Sequence, residues 1–421
     1  MGLRILMASD FYPPFIGGAE RQVQLLGRGL AQLGHEVHVA TVGQNNLPEK
    51  EDDNGVTIHR LNGLSTKVPW FSKDPHRRFH PTFPEPGIVS GMRQLIKEIR
   101  PDVVHASGWI SYSCVAALFG SQIPFVISTR DYGYFCPTRT LLHHGQICQG
   151  PAPWKCLNCS KVNYGLPKAM AATMGVLGNR RMLVKTVSAI HSVSTFVQDV
   201  MKRDLPDIPA RIKNPHRVVI ADIIAVDSLQ EKTDHAQQGS HLPIEPYILF
   251  VGALQTNKGI QVLLDAYQLL ASPPPLVLIG SVWPDTPKQF PKGVTVIYNA
   301  PHNLVMSAWE KCLFGVTPSV WPDPLPGVVR EAMSQGKAVI GTRVGGIVDM
   351  IADGKTGLLI PPGDMYALAD AMKKLMHDPE MRERMGRAGQ EDVKRFNADG
   401  IVPQFEILYR DLMSESRGGS Q

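Results

Sequence analysis

Two doubly wound α/β domains are expected of this chain of 421 residues, and three features of the sequence lead there. Short apolar runs alternate with helical periodicity in two separate series, one opening at Leu3 and the other at Tyr247. Alternation of that kind belongs to parallel sheets covered by helices on both faces. Between the series, residues 215–245 lose their periodicity and include Gln237-Gln238-Gly239-Ser240, which reads as a linker. The length suits two or three domains, and 43% hydrophobic with 19% charged residues excludes disordered and fibrous classes.

Taken in order, Leu3–Ala8 is an apolar run stopped by Ser9-Asp10, a strand. Pro13-Pro14 and Gly17-Gly18 mark a loop, and Ala19–Leu33 places Val23, Leu26, Leu30 and Leu33 at helical spacing. Gly34 ends that helix, and Glu36–Val42 forms a second strand through Val37, Val39 and Val42, completing a Rossmann-like β-α-β opening. Further strands are expected at Val56–Leu61, Val103–Ala106, Phe125–Ser128 and Ile190–Val193. Lys67–Arg100 shows no clear period and reads as a long loop. Its Trp70, Phe71, Lys73, Arg77 and Arg78 suit anionic lipid headgroups or a lipid-diphosphate acceptor, a solvated connection being the plain alternative.

The second series runs from a strand at Tyr247–Val251 through a helix at Ile260–Leu270 and strands at Leu276–Gly280 and Val294–Tyr298 to a helix at Val328–Gln335. The expected division is 1–217, a linker at 218–245, a second domain at 246–400, and a C-terminal helix and tail at 401–421. Ligands of such sheets bind beyond the carboxyl ends of the strands, so motifs at strand-to-helix turns should line a cleft between two facing domains.

Charge is unevenly spread. Of the 43 basic and 38 acidic residues, 25 and 15 fall in residues 1–217, leaving 18 and 23 for the rest. A basic first half points to an anionic partner, with a negatively charged membrane surface favoured over nucleic acid. No apolar run reaches the ~18 residues of a membrane span, and the first residues lack a signal-type cleavage region. A cytoplasmic protein is expected, with peripheral contact at the inner face of the membrane.

Three stretches carry chemistry. Pro13-Pro14-Phe15-Ile16-Gly17-Gly18-Ala19-Glu20 sets two glycines before a helix, where free N–H groups and the helix dipole suit phosphate; an ordinary tight turn reads the same way. Gly252-Ala253-Leu254-Gln255-Thr256-Asn257-Lys258-Gly259 again joins strand to helix, and a Lys there can reach a diphosphate. In Pro318–Met333, prolines at 318, 322, 324 and 326 hold the chain extended until Gly327, where a helix starts with Val328 and Val329 presenting N–H groups. Asp323 precedes that turn, and Glu331 follows it in the first helical turns.

Together with Gly345-Gly346-Ile347-Val348-Asp349, Asp353-Gly354-Lys355-Thr356-Gly357 and Pro362-Gly363-Asp364, these stretches resemble the GT-B retaining glycosyltransferases of the family-4 type. The resemblance covers nearly the whole chain, including Asn214-Pro215 and a C-terminal helix, Phe405–Met413, that in this family packs back onto the first domain. It implies sugar transfer from a nucleotide diphosphate sugar to a glycan or lipid-linked acceptor, with retention of configuration and no catalytic metal. It also implies the roles. Glu331 would hold the donor ribose, and Gly252, Gly327, Val328 and Val329 would surround the diphosphate. Lys258 would neutralise the departing charge, Asp323 would orient the sugar, and Gly17 and Gly18 would close over the donor. Glu20, Arg130 and Asp131 fall on the acceptor or sugar side.

Three positions depart from the family pattern: Ala253 where Arg is usual, Asp323 where the first Glu is usual, and Arg130 where His is usual. Either Arg130 compensates for the missing phosphate cation or donor preference is altered. A GT-B nucleotide-sugar epimerase or phosphorylase is the alternative enzyme, and the departures at Ala253 and Arg130 also admit a non-catalytic zinc-containing adaptor on the same scaffold.

Cys136, Cys148, Cys156 and Cys159 crowd one window, in an insertion spanning residues 131–160 that resembles one found in a subset of these transferases. Four thiols ending in C-x-x-C suit a structural zinc, with unliganded thiols and an iron–sulfur centre as the alternatives and His143 or His144 as substitute ligands. Cys114 and Cys312 read as core.

Overall fold

The structure, a computed structural model, describes residues 2–14, 17–64, 79–205, 216–224 and 242–418. Asn214, Pro215, Trp70, Phe71, Lys73, Arg77, Arg78 and most of the expected linker lie outside those residues. The chain divides into two units, the first made of Met1–His143, Cys148–Ile223 and Ala398–Gln421, the second of His144–Ile147 and Ile224–Asn397.

In the first unit, β1 (Arg4–Ser9), α1 (Gly18–Gln32), β2 (Glu36–Val42), β3 (Lys50–Asp53) and β4 (Val56–Leu61) are followed by α2 (Pro86–Ile99), β5 (Val103–Ser107), α3 (Ser111–Ala117) and β6 (Phe125–Thr129). A short hairpin, β7 (Leu142–His143) and β8 (Gln146–Ile147), precedes two helices, α4 (Pro153–Tyr164) and α5 (Leu166–Thr186). Then come β9 (Ala189–Ser192), α6 (Thr195–Asp204) and β10 (His216–Val219). The eight-stranded sheet has the order β10-β9-β6-β5-β1-β2-β4-β3. All its pairs are parallel except β3 with β4. The apolar runs of the central strands are buried on both faces, as helix-covered parallel strands must be.

Two elements differ from expectation. Residues 86–99 are helical where a loop was expected: Glu85 caps the helix through Ile88 N–H at 2.7 Å, Pro86 occupies its first position, and Ile88, Val89, Met92 and Leu95 form its buried stripe. The Lys50-Glu51-Asp52-Asp53 strand has no apolar period, and it survives as a charged edge. The strand His216–Val219 also carries the first unit past residue 217, to Ile223.

The second unit contains β11 (Ile248–Val251), α7 (Ile260–Gln268), β12 (Leu276–Gly280), β13 (Val294–Tyr298), α8 (His302–Lys311), β14 (Phe314–Thr317), α9 (Gly327–Ser334), β15 (Val339–Thr342), β16 (Gly357–Ile360), α10 (Met365–His377) and α11 (Pro379–Asp392). Its six parallel strands run β13-β12-β11-β14-β15-β16 around a core that includes Ile248, Phe250, Leu263, Phe314 and Ile340. The last helix, α12 (Ala398–Gly418), belongs to the first unit. Phe405, Leu408, Tyr409 and Leu412 join that unit's core, and Gly29 of α1 lets Val402 approach to where a Cβ would lie 2.6 Å from it.

Strand order reverses between β11 and β14 in the second sheet and between β1 and β5 in the first. Loops leaving the carboxyl ends of the strands on the two sides of such a reversal diverge and leave a crevice, the usual ligand position in doubly wound sheets. The predicted motifs sit in these loops.

Candidate active site

In the second unit the two loops at the reversal are stitched together. After β11 the chain turns through Gly252, with φ of +150°, into a single helical turn at Thr256–Lys258, and Gly259, with φ of +75°, starts α7. A Cβ on Gly259 would overlap the Pro318 carbonyl, so only glycine lets this turn lie against the segment after β14. The Asn257 carbonyl accepts from Val320 N–H at 3.0 Å and Trp321 N–H at 3.3 Å. Lys258 is thereby delivered to Asp323, and the two form an ion pair between Nζ and Oδ2. The Lys258 ammonium also lies 5.1 Å from the Trp321 ring centre.

Asp323 is buried, 6% exposed, and its backbone is clamped from the far side. Gly346 N–H donates to its carbonyl at 2.7 Å, and Gly345, with φ of +61°, packs so closely that a Cβ would overlap the Asp323 backbone. The Gly345-Gly346 pair therefore fixes the backbone that carries the Asp323 carboxylate.

Beyond Asp323, α9 opens at Gly327 after Pro326, with Gly327 exposed, Val328 half-buried and Val329 buried. Gly327 and Val328 stand at the open first turn, where helical N–H groups have no partner within the helix. Val329 differs from expectation: its N–H donates to the Pro326 carbonyl at 3.3 Å, because the proline-held entry curls back into a tight turn. Glu331 is half-buried, and its carboxylate accepts from the indole N–H of Trp309 at 3.3 Å. Trp309 is fully buried, and Gly315 makes room for it, since a Cβ there would lie 2.7 Å from its ring. No sequence motif pointed to Trp309; it acts through its partner.

In the first unit, Glu20, Arg130 and Asp131 line one pocket with Asp10 and Arg139. Asp10, at the end of β1, accepts from Trp109 N–H at 3.0 Å and Ile110 N–H at 2.7 Å, across the reversal to the loop after β5. Arg139 reaches Asp10 at 3.2 Å and Asp131 at 3.4 Å, with its guanidinium 3.9 Å from the Trp109 ring centre. Burial opposes the Arg139 charge, but Asp131 and Asp10 hold it protonated beyond the ordinary arginine range. Arg130 is not available as a compensating phosphate cation in this state: its Nε is paired with Asp222 at 2.8 Å, both side chains being almost buried. Gly17 caps α1, with the Glu20 carboxylate where its Cβ would be, and Gly18 faces open space. Asp10 and Arg139 escaped the sequence reading because Asp10 meets Trp109 across 99 positions and Arg139 across 129, with no spacing rule to announce either.

Cys156 and Cys159 occupy one face of α4, and Cys136 and Cys148 are near enough that each thiolate would disfavour the others. Burial is the larger influence, raising the Cys156 and Cys159 thiols above the ordinary range. The donor set is of the kind zinc takes, but as placed no three His, Cys, Asp or Glu side chains among the described residues are gathered to hold a metal ion. Cys114 and Cys312 are buried. No helix among the described residues is long and apolar enough to cross a membrane.

Residues 16–214 match the family described as Glycosyltransferase Family 4, and residues 231–392 match Glycosyl transferases group 1. The N-acetyl-alpha-D-glucosaminyl L-malate synthase of Bacillus anthracis is 25% identical over 421 residues, covering 96% of this chain and 97% of that protein. Among solved structures, sucrose-phosphate synthase from Thermosynechococcus elongatus superposes with a TM-score of 0.70 at 20% identity, covering 98% of this chain and 99% of that one. Anabaena HepE in complex with UDP gives 0.65 at 16% identity, over 98% and 100%. Relatives and neighbours carry the names of transferases and synthases, which does not favour the epimerase, phosphorylase and adaptor alternatives.

Proposed function

Because this chain is a GT-B glycosyltransferase of the group 1 and family-4 type, we propose that it transfers a sugar from a nucleotide diphosphate sugar to a glycan or lipid-linked acceptor with retention of configuration. The observation that carries the donor half is the joining of Lys258, Asp323 and the start of α9 at the strand-order reversal, with Glu331 of α9 held by the Trp309 indole. The UDP bound to the Anabaena neighbour supports a nucleotide donor.

In this reading the diphosphate lies at the N–H groups of Gly327 and Val328, near Gly252, where the helix dipole and Lys258 stabilise negative charge. Glu331, oriented by the Trp309 indole, accepts the ribose hydroxyls. The bond from the sugar's anomeric carbon to the phosphate oxygen breaks, the acceptor oxygen bonds that carbon on the same face, and the acceptor proton passes to the departing phosphate. Lys258 shifts from Asp323 towards the leaving diphosphate, freeing the Asp323 carboxylate to take a sugar hydroxyl. Gly17 and Gly18 close over the donor, and Glu20, Arg130 and Asp131 serve the acceptor or sugar side.

The stereochemical part is tested on slow donor hydrolysis. Proton NMR of the first sugar released from an α-linked donor should show the α-anomer; release of the β-anomer would refute retention. Activity should need no added divalent cation, since none of these steps uses a metal. A structural zinc on the four cysteines is a separate proposal supported by their thiol chemistry, and metal analysis of purified protein decides it: close to one zinc per chain supports it and none rejects it.

A further inference from the structure

The helix pair α4 and α5 buries one side and leaves an apolar stripe on the other. Ala169, Thr173, Val176 and Leu183 of α5 face inward. Leu166, Met170 and Met174, each four residues from the next, are exposed, Met174 by 70%, and at the end of α4 Val162 is 87% exposed. Arg181 and Lys185 continue the exposed face of α5, and Lys161 flanks Val162. Single exposed apolar residues need no explanation, but a continuous stripe of them marks a contact surface.

Its electrostatics choose the partner. From Tyr132 to Gln198 the chain has no Asp or Glu, while seven Lys and Arg fall in the same stretch. A second copy of the chain docked symmetrically here would set this basic surface against itself. Nucleic acid would satisfy the cations and leave the Leu and Met stripe in water. An anionic bilayer satisfies both: phosphates meet the lysines and arginines, and the apolar stripe enters the headgroup boundary.

We propose that the exposed face of α4 and α5 docks this enzyme on an anionic lipid surface through Val162, Leu166, Met170 and Met174, with Lys161, Arg181 and Lys185 holding headgroup phosphates. The surface is built within the first unit and does not depend on the donor reading.

Co-sedimentation with vesicles tests it, using phosphatidylcholine alone and an equimolar mixture with phosphatidylglycerol. The full chain should partition about tenfold or more in favour of the anionic vesicles, and added salt should weaken binding. Leu166→Ser/Met170→Ser/Met174→Ser and Arg181→Glu/Lys185→Glu should each reduce partitioning by about tenfold or more. All these positions are exposed, and an unchanged thermal midpoint confirms that the variants are folded. Wild type left in the supernatant with both vesicles, or sedimentation indifferent to the triple substitution, overturns the proposal. A dimer in sedimentation velocity that the triple substitution dissolves, without vesicle binding, assigns the face to a second copy and overturns it equally. A nucleotide thermal shift on the same samples reports the donor site separately.

Discussion

Lys258 and Asp323 stand 65 positions apart and share one ion pair, each neutralising the other while no diphosphate competes. A nucleotide diphosphate at the start of α9 brings charge that outbids a single carboxylate for the ammonium, so Lys258 is worth most when charge develops on the leaving group. Lys258→Met, similar in length and without charge, should lower kcat by about 10²–10³-fold, the scale of losing one preorganised electrostatic group, with a smaller change in donor KM. Trp309→Phe keeps the buried volume and removes the indole N–H; it should raise donor KM several-fold and leave kcat largely unchanged, because Glu331 loses its orienting donor and not its charge. Steady-state kinetics on the two variants separates the two effects. At this scale the carboxylates and the lysine could be singled out at strand and helix ends, while their roles came only from the family resemblance. Trp309, Asp10 and Arg139 were not, because what selects them is a partner brought close only by the fold.

Glycines at the ends of elements decide how these side chains meet. Gly345 has φ of +61° and lies against the Asp323 backbone, whereas Gly363 has φ of +80° in open space. Alanine at either position takes on the left-handed backbone penalty, roughly 1 kcal/mol. Gly345→Ala must in addition displace the loop that carries Asp323, so its cost should reach about 2–4 kcal/mol with loss of transfer activity, while Gly363→Ala should remain active. Urea unfolding of the two variants measures the difference. Strands and helices with a clean apolar period were readable to within a few residues, as at Leu276–Gly280 and Val294–Tyr298. The helix Pro86–Ile99 was hidden by a proline-rich approach although its cap at Glu85 and its buried stripe are ordinary signals. The charged strand Lys50–Asp53 had no local signal, since pairing with Val56–Leu61 alone makes it a strand.

Over the whole molecule, one buried chain of hydrogen bonds ties the C-terminal helix to the first sheet. Tyr409 hydroxyl and His105 Nδ1 are 2.7 Å apart, as are His105 Nε2 and Ser128 Oγ, Ser128 Oγ and His191 Nδ1, and His191 Nε2 and the Ile220 carbonyl. With both imidazoles neutral, that carbonyl, which can only accept, makes His191 Nε2 a donor, and every donor along the chain then points the same way from Tyr409 O–H onward. Burial, then the neighbouring His191 and Arg130, push His105 well below the ordinary histidine range; burial and Arg130 bring His191 down from 6.5 to about 4. A histidine with its folded-state value depressed leaves the unfolded chain binding more protons as pH falls. Stability should therefore be full above pH 6.5 and decline between there and about pH 4, by on the order of 1 kcal/mol per pH unit for each histidine. His191→Gln should flatten that decline, read as thermal midpoint against pH. The pattern of two α/β series announced the molecule's plan, but this thread could not be read from it, because His105 and Tyr409 are 304 positions apart.

Calorimetric titration of UDP, GDP and ADP into wild type, Glu331→Ala and Lys258→Met proteins tests the proposed donor site at the reversal of the second sheet most directly. One nucleotide should bind the wild type, with affinity reduced about tenfold or more by either substitution. Equal affinity in all three proteins, or no binding by folded wild type, would contradict it.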